Sequence, residues 1–221
     1  MNYCLKKDTE DFLEKYFNFS INTEMEIQNC LVLDGVIDII DKEGVFWQNY
    51  NIRILLSKLN YPNVIPEVFE LSSKIDRDIK FHIDTNGKCC LDIYHRLALV
   101  QRRGINIIDF YKRFVYPFFA NHQFKIKTDS YANGEYDHDI AGVIQYYKEE
   151  FELTDFTIII KYLECSLGIL KAERNRECPI CGKPKYKKCC AMKVEKLKSY
   201  GNKLLKLDLK IFKENLSTIT S

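Results

Sequence analysis

Hydrophobic and polar residues alternate most regularly in residues 49–56, as in a strand with one buried face. The preceding segment, residues 30–40, is rich in β-branched residues and leads into a glycine-containing turn of hairpin length at 41–44. Two prolines in residues 61–66 exclude that connector from a central strand, and residues 67–71 restore a strand pattern. The chain therefore predicts three consecutive antiparallel strands. The face expected to be buried carries Tyr50, Ile52, Ile54 and Leu56.

Apolar residues at helical spacing precede and follow these strands. Residues 8–19 predict a short amphipathic helix, and residues 107–118, 140–151 and 159–170 predict three more. Pro117 is expected to kink or end the first of those three helices. Because the helices are segregated from the strands along the chain, their order predicts an α+β fold, an antiparallel meander flanked by helices.

The C-terminal part of the chain is predicted to form a second, smaller module. The charged segment 171–177 marks a boundary, so we expect one domain over residues 1–172 and another over 173–221. Residues 127–139 predict an irregular loop with a turn at Asn133-Gly134. The tail is ambiguous, because its apolar residues fit both the alternation of a strand and one face of a helix.

Composition narrows the function classes. The chain has 221 residues, 33 basic and 31 acidic side chains and a net charge of +2, which argues against a protein that coats nucleic acid generally. It has no apolar run of about 18 residues, so we expect no membrane span. Its first residues lack the apolar core of a signal peptide. We therefore expect a cytoplasmic protein with reduced thiols.

Four of the nine cysteines lie within residues 178–190. A Cys-x-x-Cys pair closed by Gly182 lets two thiolates approach one tetrahedral ion, and a second pair completes the set. Because four cysteine ligands leave no open position, the spacing predicts structural rather than catalytic zinc. The alternative is four free thiols in a flexible segment. The predicted ligands are Cys178, Cys181, Cys189 and Cys190.

Six lysine and arginine residues accompany this cluster between positions 174 and 188. They fit contact with nucleic acid or with an acidic protein face. A solvated basic surface explains them equally well, so these alternatives stay open.

The segment 80–93 follows the predicted strands and carries two adjacent cysteines after an Asn86-Gly87 turn signal. A thiol at the end of a short sheet, with His82 eight residues before Cys90, favours chemistry on a thiolate. A buried thiol beside a turn fits the same pattern. Since neighbouring residues of an extended chain face opposite sides, we expect Cys89 to be a buried packing residue and not a second nucleophile.

Two segments resemble ubiquitin-conjugating enzymes. Tyr61-Pro62 with Pro66 is similar to the family's YPxxPP segment, and residues 86–93 are similar to its NGxICLDIL segment. The alignment places Cys90 on the acceptor cysteine and His82 on the asparagine of the absent HPN tripeptide. It spans roughly residues 8–151, and about 35 residues carry it specifically.

The departures from the eukaryotic pattern resemble a prokaryotic branch. The tryptophan-containing segment after Cys90 is missing, and residues 116–119 and 134–138 look like bacterial conjugating-enzyme-like proteins of antiphage (CBASS) operons. The resemblance implies that Cys90 forms a thioester with the C-terminus of a protein substrate, a cGAS-like nucleotidyltransferase. The acyl group would then pass to an amine nucleophile.

The C-terminal cluster resembles the SEC-C motif, a small zinc module with the pattern CPCGSGKKYKKCC. Here Ile180 widens the first ligand pair, and Pro184 stands where the family has lysine. The resemblance implies a structural zinc ion held by the four cysteines of residues 178–190.

The conjugating-enzyme resemblance assigns roles around Cys90. His82 is the candidate hydrogen-bond donor to a tetrahedral oxyanion. The alternative is that His82 only stabilises its loop, by a hydrogen bond to a backbone carbonyl. His138 is a candidate base, and Asp92 is expected to be structural. Two other hypotheses for the function remain. One is a catalytically inactive adaptor with a conjugating fold, and the other is a zinc-bearing module that binds nucleic acid or protein. The sequence does not indicate an oligomeric state.

Overall fold

The computed structural model describes residues 3–25, 27–128 and 139–219. It divides into two compact units, Met1–Glu135 and Tyr136–Ser221. The domain boundary expected at 172/173 falls inside the second unit. His138 and the turn expected at Asn133-Gly134 lie outside the described residues.

The first unit is an α+β structure, as the sequence predicts. Helix α1 precedes a four-stranded antiparallel sheet in the order β1-β2-β3-β4. The three predicted strands are confirmed as β2, β3 and β4, and a short strand β1 joins the sheet ahead of them. The elements are α1 (Tyr3–Lys15), β1 (Phe19–Ile21), β2 (Cys30–Ile40), β3 (Phe46–Ser57) and β4 (Glu67–Glu70).

The helix predicted over residues 8–19 is displaced towards the N-terminus. It ends at Lys15, and Phe19 pairs with Gly35 of β2. The rings of Phe12 and Phe19 nevertheless pack edge to face, 5.2 Å between centroids. Both phenylalanines therefore face one core, although only Phe12 lies in the helix. Their spacing along the chain matches one face of a helix, which is why the sequence predicted a helix that includes both.

Strand β3 confirms the predicted alternation. Its inward residues are fully buried, and they form the centre of the core. On the other face, Asp34 of β2 lies opposite Arg53, and the two form an ion pair at 2.7 Å. The buried residues of β3 are Tyr50, Ile52, Ile54 and Leu56.

Helices follow the sheet in the first unit: α2 (Tyr94–Arg103), α3 (Ile107–Phe110) and α4 (Tyr116–Thr128). The expectation that the helix ends at Pro117 is wrong, because α4 continues beyond it to Thr128. A π-helical turn at Tyr111–Val115 precedes the proline. The π-helical turn interrupts the regular hydrogen-bond pattern just before Pro117, whose missing N–H removes one bond of that pattern.

The second unit is helical. The ambiguous tail is a helix, because Leu205 and Leu209 are buried while Leu207 is half exposed, which excludes the strand alternation. A buried hydrogen bond from the Tyr147 hydroxyl to Asp208, 2.7 Å long, connects the first and the last helix of this unit. The helices are α5 (Asp139–Phe151), α6 (Phe156–Ser166), α7 (Ala191–Lys198) and α8 (Asn202–Ile219).

Among the described residues, the helices are too short or too polar to cross a membrane.

Candidate functional site

The segment with the first cysteine pair folds into a small hairpin on the free edge of β4. Ile83 and Cys89 pair across it as an antiparallel bridge. Cys89 N–H donates to the carbonyl of Val68 at 2.8 Å, and Glu70 N–H donates to the carbonyl of Gly87 at 2.8 Å. The sheet therefore fixes the position of the hairpin that ends at Cys90.

The turn of this hairpin depends on two residues. Asp84 accepts hydrogen bonds from the backbone N–H groups of Asn86 and Lys88, at 2.8 and 2.9 Å. Gly87 has φ +86°, and a Cβ at that position would lie 2.6 Å from the carbonyl oxygen of Glu70. Only glycine fits there, which explains the Asn-Gly signal in physical terms.

The two adjacent thiols face opposite sides, as the extended alternation predicts. Cys89 is 7% exposed and belongs to the core, whereas Cys90 is exposed. Burial, joined by the negative charge of Glu70, raises the pKa of Cys89 far above its usual range. A thiol that stays protonated and enclosed is a packing residue, so Cys90 is the accessible thiol of the pair.

His82 lies directly across the hairpin from Cys90. The pair Ile83–Cys89 makes these two residues the next cross-strand neighbours, and Cys90 N–H donates to the His82 carbonyl at 2.7 Å. His82 is half-buried and has φ +56°. The structure thus brings the two predicted residues together through their backbones, whereas His138 is outside the described residues.

The surroundings of Cys90 favour the neutral thiol. Partial loss of solvent around the sulfur raises its pKa, and the negative charge of Asp92 raises it further. Burial raises the pKa of Asp92 as well, although the Ile93 N–H at 2.8 Å and Arg96 at 3.8 Å favour its ionised form. Cys90 therefore has a smaller thiolate fraction at neutral pH than a free cysteine.

A buried carboxylate that sequence reasoning missed supports the hairpin. Glu70 is 1% exposed, accepts from the N–H groups of Ser72 and Ser73 at 2.8 and 2.9 Å, and pairs with Arg77 at 2.7 Å. Arg77 also donates to the Glu70 carbonyl at 2.7 Å. The available signal was that Glu70 shares the inward face of β4 with Val68, two residues earlier.

Two further histidines, which the sequence analysis assigns to no site, are buried. His95 lies in α2 and is 1% exposed. His122 lies in the middle of α4, with its Nδ1 atom 3.0 Å from the Tyr50 hydroxyl. Burial lowers the pKa of His122 and favours its neutral form. Both side chains belong to the interior of the first unit.

The second site is a cluster of four cysteines in the second unit, and these are the four that the sequence predicts. Their Sγ atoms all lie within 4.8 Å of one another. A short turn closes the first pair: Gly182 N–H donates to the Cys178 carbonyl, and Cys178 N–H donates to that of Lys183, both at 2.8 Å. Gly182 has φ +70°, which the turn requires. The cluster consists of Cys178, Cys181, Cys189 and Cys190.

This geometry fits a tetrahedral metal ion. Zinc–sulfur bonds of about 2.3 Å place tetrahedral sulfurs about 3.8 Å apart, so a small contraction of the cluster suffices. The Lys183 N–H, with smaller contributions from the other three thiols, lowers the pKa of Cys181 to about 7. The Tyr162 hydroxyl interacts with the Cys190 thiol, whose pKa burial raises to about 12. The four thiols can hold a metal ion and are compatible with zinc.

No family model matches the chain, and comparisons with curated proteins and with solved structures give no significant match.

Proposed function

We propose that the first unit is a ubiquitin-conjugating-enzyme-like acyl transferase with Cys90 as its acceptor thiol. The observation that carries this proposal is the hairpin, which exposes Cys90, buries Cys89 and sets His82 across from the exposed thiol. The order of elements adds support, because a helix, a four-stranded antiparallel meander, the cysteine hairpin and further helices follow one another as in the family that residues 86–93 resemble.

The reaction consists of two acyl transfers. The Cys90 thiolate attacks the C-terminal carbonyl of a protein substrate that is supplied as an acyl adenylate or as a thioester. AMP or the first thiolate leaves, and the substrate stays on Cys90 as a thioester. An amine then attacks the same carbonyl, the carbon–sulfur bond breaks, and the nitrogen loses a proton. His82 is the proposed donor to the oxyanion of each step, and removal of such a donor raises a barrier by about 3 kcal/mol.

The proposed substrate is the C-terminus of a cGAS-like nucleotidyltransferase, in bacterial antiphage defence. This partner rests on the resemblance to the bacterial branch, which residues 116–119 and 134–138 carry. Because burial and the charge of Asp92 raise the pKa of Cys90, the first transfer should be faster at alkaline pH, or with a bound partner that brings positive charge to the sulfur.

One observation favours a second candidate, an inactive adaptor that keeps the conjugating fold. An acceptor cysteine gains from a lowered pKa, and that of Cys90 is raised. In the adaptor, Cys90 would be an exposed residue of a binding surface, and the substrate would bind without forming a bond to sulfur.

For the second unit, we propose a structural zinc site in a SEC-C-like module. All four positions around the ion would be thiolates, so no coordination site remains for a substrate. The ion would supply the cross-link that holds the segment between α6 and α7. This segment has only one short 3₁₀ turn, Tyr186–Lys188, as regular structure.

The decisive experiment incubates the full chain with a cGAS-like nucleotidyltransferase whose C-terminal carboxyl is supplied in activated form, as a thioester. Adducts are followed by intact mass and by gel electrophoresis. The transferase proposal expects a thiol-sensitive adduct with the native chain. Cys90→Ser should give an ester that resists thiols, because an oxygen ester exchanges slowly with sulfur nucleophiles. Cys90→Ala should give no adduct.

Cys89→Ala is the matched control, since it changes the adjacent but buried thiol and should keep the adduct. An adduct that survives Cys90→Ala would contradict the transferase. Binding of the nucleotidyltransferase without any covalent adduct, unchanged in Cys90→Ala, would support the adaptor instead.

A further inference from the structure

A cleft in the second unit is lined by basic and apolar side chains. It encloses about 700 Å³ between the segment that follows α6, the 3₁₀ turn Tyr186–Lys188 and helix α7. Five basic side chains line it, against one acidic side chain, Glu195. The basic residues are Lys171, Arg174, Lys187, Lys188 and Lys198.

Two of these five cations form ion pairs with carboxylates. Lys171 pairs with Glu173 at 3.2 Å, and Lys198 pairs with Glu195 at 2.7 Å. In the part of the chain that the structure describes, no carboxylate pairs with the other three, which are exposed. These three cations are Arg174, Lys187 and Lys188.

The backbone fixes where these cations stand. Lys187 N–H donates to the Arg174 carbonyl at 3.0 Å, and Tyr186 N–H donates to the Arg176 carbonyl at 2.9 Å. The backbones of Arg174 and Lys187 are therefore held next to each other, and both side chains line the cleft. A bound anion would offset the repulsion between like charges that share one cleft.

The cleft also has apolar lining residues. They are Leu170, Ala172, Ala191 and Met192, and Met192 of α7 is 85% exposed. An exposed methionine is an adaptable contact for apolar side chains of different shapes. A ligand that fills this cleft should therefore carry apolar groups between its negative charges.

Helix α7 already binds such a segment of its own chain elsewhere on its surface. Lys196 pairs with Glu150 and lies 5.0 Å from the centroid of the Phe151 ring. Lys193 donates to the Phe151 carbonyl and lies 3.5 Å from Glu152. An acidic, apolar, acidic sequence thus binds two lysines of this helix, and its aromatic residue is buried.

We propose that the cleft is a docking site for an acidic protein segment with apolar residues between its carboxylates. The carboxylates contact Arg174, Lys187 and Lys188, and the apolar side chains cover Leu170 and Met192. This inference does not depend on acyl transfer by Cys90, so either proposal can fail without the other.

Single-stranded nucleic acid is the competing polyanion, and the cleft suits it less well. Binding of single strands relies on exposed aromatic rings on which the bases stack. The one aromatic residue that lines the cleft, Tyr186, is 8% exposed. Apolar lining residues without an exposed aromatic ring favour a peptide over a single strand.

Fluorescence anisotropy with a labelled peptide tests the proposal on the full chain. The probe copies residues 149–155 of the chain itself, Glu-Glu-Phe-Glu-Leu-Thr-Asp. The combined change Arg174→Glu, Lys187→Glu and Lys188→Glu should weaken binding at least about tenfold, because it reverses all three unpaired charges. Raising the salt concentration should weaken binding to the native chain as well.

The matched control reverses three exposed lysines of α8, at positions 203, 206 and 210, and should change the affinity less than about twofold. Two variant peptides separate the contribution of charge from that of apolar contact. One has glutamine and asparagine at the acidic positions, and the other has serine in place of Phe and Leu. Both should bind more weakly than the probe. Circular dichroism and metal content should show that each triple variant stays folded.

Three outcomes overturn the proposal. The first is equal weakening by the cleft and control variants. The second is full affinity of the peptide that lacks apolar residues, since that would leave only charge attraction. The third is tighter binding of a uridine decamer than of the acidic probe, with loss of that binding in the cleft variant.

Discussion

The chain contains the same tripeptide twice, Lys88-Cys89-Cys90 and Lys188-Cys189-Cys190, and the two copies are used in opposite ways. In the first unit the pair is extended, so one thiol enters the core and the other is exposed. In the second unit Cys189 has φ −131° and ψ −86°, and Cys190 is helical at the start of α7, so both thiols turn towards one centre.

The comparison shows that a pair of adjacent cysteines does not by itself indicate one function. A pair on an extended strand separates its thiols and provides one accessible sulfur. A pair at a bend into a helix brings the thiols together, and a second Cys-x-x-Cys pair then completes a metal site. The backbone conformation around the pair, and not the pair itself, decides which chemistry is available.

Loss of one cluster thiol should have the largest effect. Cys178→Ser removes a buried ligand, and structural zinc sites contribute roughly 10–16 kcal/mol to folding in small peptides. We expect the zinc content of the purified chain to fall from about one ion to well under half of one, with loss of helical signal from the second unit. Elemental analysis and circular dichroism measure these effects.

Cys90→Ser is the matched change in the other pair, and it should leave the metal content unchanged. Full retention of zinc by Cys178→Ser would mean that the four thiols do not act as one site.

Alkylation should separate the two thiols of the first pair. In the native chain we expect iodoacetamide to modify Cys90 at least about 100-fold faster than Cys89, since the buried thiol reacts only after local opening. The pKa of Cys90 is raised, so the rate should keep rising above pH 8.5, where a free cysteine is already half ionised. Peptide mass spectrometry measures both rates.

Removing the charge of Asp92 sharpens that test. Asp92→Asn should lower the pKa of Cys90 and speed its alkylation at pH 8, because a negative neighbour opposes the thiolate. Asp11→Asn, an exposed change in α1, is the control. A rate that levels off below pH 8 would contradict the raised pKa.

The hairpin turn should be the next most sensitive point. Gly87→Ala combines a left-handed backbone with a Cβ 2.6 Å from the Glu70 carbonyl, and we expect it to lower the free energy of unfolding by about 3 kcal/mol. Gly44→Ala has a similar φ, +83°, with open space around it, and should cost only about 1 kcal/mol. Urea denaturation measures both, and equal costs would refute the close contact.

The smallest expected effect concerns the Tyr162 hydroxyl, which interacts with Cys190. Tyr162→Phe keeps the ring and removes the hydrogen bond, so zinc affinity should fall about tenfold, as when other partners of metal ligands are lost. Tyr186→Phe, another buried tyrosine of this unit, should change it less than twofold. Competition with a chromogenic chelator gives the affinities.

Local patterns predicted the elements whose cause is local. The alternation in β3, the Asn86-Gly87 turn and the spacing of the four cluster cysteines each depend on a few neighbouring residues. The domain division and the Glu70–Arg77 ion pair depend on contacts between elements, which periodicity does not encode. The helix does not end at Pro117 because a π-helical turn precedes the proline, and that irregular hydrogen bonding is not visible in the apolar spacing.

Both edges of the sheet are poor templates for another strand, and this bears on aggregation. β1, at one edge, has only three residues, and the cysteine hairpin occupies the other edge by pairing with Val68, Phe69 and Glu70 of β4. Exposed long edges invite edge-to-edge association between chains. The hairpin that carries Cys90 thus also covers the β4 edge of the sheet. Variants that loosen this hairpin should first be examined for self-association in concentrated samples.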